Sequence, residues 1–160
     1  MSDERPTIRP VNLGRLVELT HLCRDGRQST EDVVSALGVS AGRARETILE
    51  STRISLTEET SDEETYAVTT VGERFINAVE ASDWKKVNSI LKTHSPHYGA
   101  FLTLFKDGNT IKPHTALELL EEQANFTPYQ YNETSLDVIG AWAQRLGAIQ
   151  RNAFSGTFYA

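Results

Sequence analysis

The chain has 160 residues and a formal net charge of −6, and its length allows one large domain or two small ones of about 75 residues each. Hydrophobic residues make up 39% and charged residues 24%, a composition typical of globular proteins. No apolar run approaches the roughly 20 residues that a membrane helix needs. The composition therefore predicts a soluble protein and excludes a membrane partner.

The N-terminal residues and the cysteine content predict a cytoplasmic protein. Residues 1–10 hold no apolar segment of the kind found in secretory signals. Cys23 is the single cysteine, so an internal disulfide is excluded. Because residues 1–10 are polar and carry Pro6 and Pro10, we expect them to form a flexible arm.

Charge is unevenly distributed along the chain. An acidic stretch at 58–64 has five carboxylates and no base, whereas residues 83–112 carry five lysines against two aspartates. The net negative charge of the chain disfavours a protein that wraps nucleic acid non-specifically, because phosphate contacts need clustered Lys and Arg. The lysine-rich middle nevertheless predicts a local phosphate-binding surface.

Apolar spacing predicts two helices at the start of the chain. The first begins at Asn12 and ends at Gly26, which tolerates a positive φ. Ser29, followed three residues later by Asp32, matches a capping box and predicts a second helix that stops at Gly38.

A third helix follows after a three-residue link. Ser40 is suited to cap it, and Ala44, Ile48 and Ser51 share one face, which we expect to point inward. Two short helices joined by a tight turn that contains glycine form the helix-turn-helix pattern.

A hairpin and a further helix complete the first half. The short alternating segments 54–56 and 66–68 predict two strands around the acidic stretch. Thr70 and Glu73 have the spacing of a capping box and predict the start of a fourth helix.

With this order of elements, and with the segment Thr69-Thr-Val-Gly-Glu-Arg-Phe75 after the hairpin, residues 11–80 resemble the winged helix-turn-helix superfamily of DNA-binding regulators. The resemblance implies a mainly α fold with short antiparallel β-hairpins (α+β). It also implies that the third helix is the recognition helix, since in this fold that element lies in the major groove.

The second half repeats the plan without detectable residue identity. Helix, helix, helix and a terminal hairpin are again predicted, with the last helix starting near Glu133 and the hairpin strands at 148–149 and 157–159. We therefore predict a tandem winged-helix architecture. Its parts are the arm at 1–10, a first module at 11–81, a connecting helix at 82–95 and a second module at 96–160.

The predicted DNA contacts are basic and polar residues on the third helix, in the lysine-rich middle and in the second module. They are Arg43, Arg45, Thr47, Arg53, Lys85, Lys86, Lys112, Arg145 and Arg151. On the third helix, Glu46 and Glu50 are expected to face outward too and would repel phosphates, so an ordinary solvated helix face is the alternative interpretation. Asn132 is predicted to be a helix cap, and Trp142 to be core.

Motifs that suggest chemistry have simpler explanations. Residues 38–42 match G-x-S-x-G, which in hydrolases places a nucleophilic serine on a turn between a strand and a helix. Here the element before the motif is predicted to be a helix, and Ser40 is predicted to cap the third helix. His94 and His97 would supply two ligands, whereas a structural zinc site needs four. Cys23 lies on the apolar face of the first helix and is predicted to be structural. We therefore predict no catalysis, no metal and no cofactor.

The leading functional hypothesis is a sequence-specific DNA-binding regulator, or an accessory DNA-binding subunit, whose partner is double-stranded DNA. The alternative is a non-catalytic protein–protein interaction module, because winged-helix surfaces also serve as docking sites and the acidic hairpin disfavours DNA. That hairpin would then meet a basic partner. A homo-oligomer, in the simplest form a homodimer, is expected, since helix-turn-helix regulators commonly pair to match two half-sites.

Overall fold

A computed structural model describes residues 11–106, 108–122 and 132–160, so the predicted arm at 1–10 lies outside the described residues. The described residues form eight helices and six strands. They divide into two compact units, Val11–Ile90 and Leu91–Ala160. Mostly helical structure with two small antiparallel sheets confirms the predicted α+β class. None of the described helices is both long enough and apolar enough to cross a membrane.

The first unit consists of helices α1 (Leu13–Arg24), α2 (Thr30–Leu37), α3 (Ala41–Arg53) and α4 (Thr70–Glu80) with strands β1 (Gln28–Ser29), β2 (Thr57–Glu59) and β3 (Thr65–Val68). Strand β3 lies in the centre of the sheet and pairs antiparallel with both neighbours. Helix α5 (Trp84–His94) follows and contains the boundary between the two units.

Side-chain caps fix where the first helices begin. Ser29 and Ser40 cap α2 and α3 as predicted, and Ser29 forms the full capping box. Asn12 caps α1, which is not predicted from the sequence. The predicted cap of α4 is wrong by one residue. The Gly72 N–H donates to the hydroxyl of Thr69 at 2.9 Å, because Thr69 is the residue with extended backbone before the helix.

The first hairpin is shifted from its predicted position. Segment 54–56 is not a strand: Ile54 closes α3, Ser55 has a φ of +66°, and pairing starts at Thr57. Ile54 and Leu56 are both 0% exposed, so their apolar character serves the core and not an alternating strand. Segment 66–68 lies in β3, as predicted.

The core of the first unit joins the three N-terminal helices. Leu19 and Cys23 of α1 pack with Val33 of α2 and with Ala44 and Ile48 of α3 in one buried cluster. The inward face predicted for α3 is therefore confirmed.

The second unit consists of helices α6 (Pro96–Thr103), α7 (Pro113–Glu122) and α8 (Glu133–Arg145) with strands β4 (Thr110–Ile111), β5 (Gln150–Arg151) and β6 (Phe158–Tyr159). Its sheet order, β4-β6-β5, matches the order β1-β3-β2 of the first unit. Both units thus run helix, strand, helix, helix, strand, strand, with the last strand central. The first predicted strand of the terminal hairpin, at 148–149, is displaced to 150–151 because Ile149 is buried in the core.

Aromatic side chains dominate the core of the second unit. Trp142 is 1% exposed, as expected of a core residue, and its ring centroid lies 5.6 Å from that of Tyr98. Phe101 contacts Phe158 edge to face at 5.3 Å. A Cβ on Gly140 would lie 2.6 Å from the Phe158 ring, so glycine at this point of α8 lets the hairpin pack against the helix.

Candidate nucleic-acid interface

The turn between α2 and α3 orients the N-terminus of α3. Gly38 ends α2 with a φ of +64°, a conformation that favours glycine. Two residues on, Ser40 accepts a hydrogen bond from the Arg43 N–H at 3.2 Å. The hydrogen-bonded cap and the packing of Val33 against α3 present the first two turns of α3 at the surface of the unit.

The exposed face of α3 is flanked near its N-terminus by two arginines, Arg43 on one side and Arg45 on the other, with the buried Ala44 between them on the inner side. Arg43, Arg45, Glu46 and Leu49 are exposed, and the last of these is 58% exposed. Within the described residues neither arginine forms an ion pair. Glu46 is the exposed carboxylate nearest to them on α3, and Glu59 of the first hairpin lines the same groove as Arg45. The positive end of the helix dipole adds to the two guanidinium charges and favours an anion such as phosphate at the start of α3.

Thr47 does not belong to that face. It is 0% exposed, and its hydroxyl donates to the carbonyl oxygen of Arg43 at 2.8 Å. A threonine in a helix can satisfy its hydroxyl on the preceding turn in this way, which allows it to be buried. The prediction that Thr47 contacts DNA is therefore wrong.

The C-terminal end of α3 also differs from the prediction. Glu50, which the spacing places on the outward face, is 1% exposed, and Arg53 Nη1 donates to its Oε2 at 2.8 Å. A buried carboxylate needs such a compensating charge. The Arg53 guanidinium is thus paired within the fold, and its role as a DNA contact stays a prediction.

The first hairpin is acidic in the folded protein. We call Glu58, Glu59, Asp62, Glu63 and Glu64 the acidic tip, and all five are exposed. The tip has one weak counter-charge among the described residues, an exposed contact of 3.8 Å between Arg27 and Asp62. Burial, and then the carboxylate of Glu59, raise the pKa of Tyr66 at the base of the hairpin.

The predicted lysine contacts are exposed. Lys85 and Lys86 lie in the first turn of α5, where the Lys86 N–H donates to Asp83 Oδ1 at 3.2 Å. Lys112 lies immediately before α7, and its carbonyl oxygen accepts from the Ala116 N–H. The first two residues belong to the first unit and Lys112 to the second.

Helix α8 occupies in the second unit the place that α3 has in the first. Asn132 caps it, as predicted, and accepts from the Ser135 N–H at 2.8 Å. Its exposed face consists of Glu133, Asp137, Ala141 and Gln144. Arg145, in the last turn, is also exposed. This face is less basic than that of α3.

Arg151 is held within the second unit and is not a free phosphate contact. Its Nη1 donates to Asp137 Oδ1 at 2.9 Å and its Nε to the carbonyl oxygen of Gly156 at 2.9 Å. The guanidinium also lies 4.4 Å above the ring of Phe158. A phosphate contact would have to replace these interactions, so the DNA-binding role of Arg151 stays a prediction.

Phe154, on the second hairpin, is a surface residue that sequence reasoning missed. Its side chain is wholly exposed, at 101% of the reference value. The signal that could have found it is an aromatic residue placed among Asn152, Ser155 and Gly156, which are typical turn residues.

The order of elements relates both units to a known class of fold. Each unit runs helix, strand, helix, helix, strand, strand. The last two strands form a hairpin, or wing, that follows α3 in the first unit and α8 in the second. The fold is winged-helix-like. No protein-family model matches the chain, and no curated protein sequence does.

Two solved structures resemble this winged-helix-like chain. The restriction endonuclease FokI superposes with a TM-score of 0.62 at 10% identity, over 98% of this chain and 45% of FokI. IdeR of T. acidophilum superposes with a TM-score of 0.34 at 18% identity, over 88% of this chain and 56% of IdeR. The chain therefore spans less than half of FokI. At such identities the FokI likeness shows the fold, and the IdeR likeness is too low to support an argument.

The prediction that the chain is not an enzyme is contradicted by the FokI likeness. Nearly the whole chain shares its fold with part of a restriction endonuclease. The prediction depends solely on missing catalytic motifs, and missing motifs do not exclude catalysis in a fold that also occurs within an enzyme.

Residues considered for chemistry have structural partners. Ser40 is a helix cap, as predicted. Cys23 is buried, and burial raises the pKa of its thiol to about 11, as expected of a structural cysteine. His97 is 1% exposed, within hydrogen-bond distance of the Ser95 hydroxyl at 3.0 Å. In the described ranges, no three His, Cys, Asp or Glu side chains gather as metal ligands would.

Proposed function

We propose that this protein is a tandem of two winged-helix modules that binds double-stranded DNA, as a sequence-specific regulator or as the DNA-binding subunit of a larger system. The observation that carries the proposal is the exposed pair Arg43 and Arg45 at the N-terminus of α3. In this fold that end of the recognition helix contacts base edges in the major groove.

The proposed contacts are of two kinds. Arg43 or Arg45 can donate two hydrogen bonds to the O6 and N7 atoms of a guanine, which gives sequence preference. Lys85 and Lys86 would contact phosphates, which gives affinity and register. In the second module, Lys112 and Arg145 are the remaining exposed candidates for phosphate contacts.

The module boundaries that go with this proposal are 11–81 and 96–160, joined by a connecting helix at 82–95. The compact units Val11–Ile90 and Leu91–Ala160 support a division into two modules. The fold shared with part of FokI supports DNA as the partner, since a restriction endonuclease acts on DNA.

A mobility-shift titration across a salt series tests the proposal. The probes are duplexes enriched from a random-sequence library by the protein itself. Affinity should fall steeply as salt rises, because binding to phosphates releases condensed counterions. Absence of any shift at the lowest salt, with correctly folded protein, would overturn the proposal.

One observation favours a second function, docking of a protein partner. Beside the acidic tip, an open groove of about 400 Å³ lies between α3 and the first hairpin, lined mainly by Ile48, Leu49 and Tyr66. Apolar surface next to an acidic patch suits a partner with a complementary basic rim. A homodimer is one form of this idea, and sedimentation of the free protein over a concentration series would reveal it.

A further inference from the structure

Phe154 is displayed at the apex of the second hairpin. Its side chain is 101% exposed, whereas Phe158 of the same hairpin is 0% exposed. An aromatic side chain of this size gains most from a contact in which water is removed from both of its faces. The described residues of its own unit give Phe154 no such contact.

The turn that carries Phe154 is closed by several hydrogen bonds. Asn152 Oδ1 accepts from the N–H groups of Phe154 and Ser155 at 2.9 and 3.0 Å. Across the turn, the Asn152 N–H donates to the carbonyl oxygen of Thr157 at 2.8 Å, and Gly156 adopts a φ of +72°. The exposed ring is thus presented on an ordered backbone, so little chain entropy is lost when it binds.

The charge of this hairpin differs from that of the first one. Residues 146–160 contain Arg151 and neither Asp nor Glu, although the whole chain carries a net charge of −6. The acidic tip of the first hairpin would be repelled by phosphate, since its charges would lie within a Debye length of about 8 Å of any bound backbone. The second hairpin has no such repulsion and can approach DNA closely.

Phe154 also lies beside the exposed face of α8. It forms part of an open groove of about 590 Å³ whose opposite side includes Asp137 and Gln144 of that helix. Asp137 is neutralised by Arg151 at 2.9 Å, so it does not make the groove acidic. Helix α8 and the hairpin tip lie on either side of this protein groove, so one can contact the major groove of a DNA duplex while the other contacts the adjacent minor groove.

We propose that Phe154 is an apolar wedge that enters the minor groove of duplex DNA and inserts between two adjacent base pairs, with α8 facing the neighbouring major groove. This inference rests on the proposed function. Insertion of an apolar side chain between base steps partly unstacks them and bends the duplex toward the major groove. Flexible pyrimidine–purine steps are the preferred sites, because they unstack at the lowest cost.

The test uses the full chain and duplexes enriched by the wild-type protein, with the fluorescent adenine analogue aminopurine placed at successive positions. Wild-type protein should raise the fluorescence at one step, which reports unstacking, and should shorten the end-to-end distance measured by energy transfer between dyes. Phe154→Ala should abolish both effects and weaken binding roughly tenfold, within the range known for aromatic contacts with bases.

Two variants control for effects on folding and for side-chain chemistry. Ala153→Ser changes the neighbouring exposed position of the same turn and should bind and bend DNA like the wild type. Phe154→Leu keeps an apolar wedge and should retain most of the bend. Because the Phe154 side chain is fully exposed, its substitution should leave the melting temperature unchanged.

The outcomes separate this inference from the proposed function. If wild-type protein shifts the duplexes but Phe154→Ala binds and bends them equally, the wedge is refuted and DNA binding stands. The wedge is refuted as well if Phe154→Ala loses affinity while wild-type protein never raises the aminopurine signal, since Phe154 would then contact the backbone or a protein. If the wild type shifts no duplex at all, the proposed function fails and the inference fails with it.

Discussion

The guanidinium of Arg53 donates to the carboxylate of Glu50 at 2.8 Å, and the two side chains are 21% and 1% exposed. The pair lies one turn apart on α3, directly beyond the exposed arginines of the same helix. It separates α3 into an N-terminal part whose basic side chains face solvent and a C-terminal part whose charges compensate each other within the fold.

Arg53→Ala should therefore destabilise the first unit without acting through DNA. Removing the arginine takes its ion pair away from a buried carboxylate, which costs about 3 kcal/mol or more in comparable pairs. Chemical denaturation measures this loss. The double variant Glu50→Leu with Arg53→Met should recover most of the stability, because it removes both charges; equal stability of Arg53→Ala and wild type would contradict the argument.

Replacing Arg43 and Arg45 together by alanine should remove most DNA affinity and leave the melting temperature nearly unchanged. Both residues are exposed, and alanine is favourable in helices. If both contact phosphates, the slope of log affinity against log salt should fall by about two. Arg74, an exposed arginine of α4, supplies the matched control, and an unchanged affinity in the double variant would move the DNA surface away from α3.

Neutralising the acidic tip should tighten DNA binding at low salt. Replacing its glutamates by Gln and its aspartate by Asn preserves size and removes the negative charges that repel phosphate. In titrations at low and high salt, the DNA affinities of the variant and the wild type should differ at low salt and become similar at high salt, since salt screens the repulsion. Loss of a dimer or of a protein complex on the same substitution would support partner docking, and weaker DNA binding would show that the acidic tip contacts DNA after all.

Acidification should destabilise the protein partly through Asp32. Hydrogen bonds from the backbone N–H and then the hydroxyl of Ser29 lower the pKa of its carboxylate. The pKa of Asp32 in the folded state is below that in the unfolded chain. Its contribution to the free energy of unfolding is therefore complete at neutral pH and is lost as the pH falls through the lowered pKa. Melting curves of Asp32→Asn should show a weaker dependence on acid pH than those of the wild type; parallel curves would contradict the assignment.

Residues 11–95 expressed alone should fold. This piece keeps α5 whole and contains the buried cluster of the first unit. Its thermal unfolding should be cooperative, as expected of a unit with its own core. An unfolded fragment, together with one cooperative transition of the full chain, would mean that the two modules are not independent.

The caps of α2, α3 and α8 and the apolar residues on the inner face of α3 could be predicted from the sequence because they depend on local interactions. The caps at Ser29, Ser40 and Asn132 bond to an N–H three residues ahead, so a short sequence window contains both partners. Spacing of three and four residues likewise determined which side of α3 is apolar. The exposed arginines Arg43 and Arg45 follow from that spacing.

Other features were decided by partners that are distant along the chain. Strands β1 and β4 have two residues each and exist because β3 and β6 supply their hydrogen bonds. Arg151 has the character of a DNA contact in the sequence, but the fold places Asp137, fourteen residues away, at 2.9 Å from its guanidinium. Short strands and single basic residues carry too little local preference to specify their partners, so long-range packing determines them.

The exposure of a side chain is the property that the sequence determined least. Thr47 and Glu50 are polar and lie on α3 near exposed residues, yet both are buried, because a hydroxyl bonded to the preceding turn and a carboxylate paired with Arg53 lose little on leaving water. Phe154 is apolar and yet fully exposed, because the hydrogen bonds of its turn hold the backbone and no described residue of the unit covers its ring. Residue type alone sets the cost of burial or exposure, and only the tertiary structure decides whether a partner offsets it.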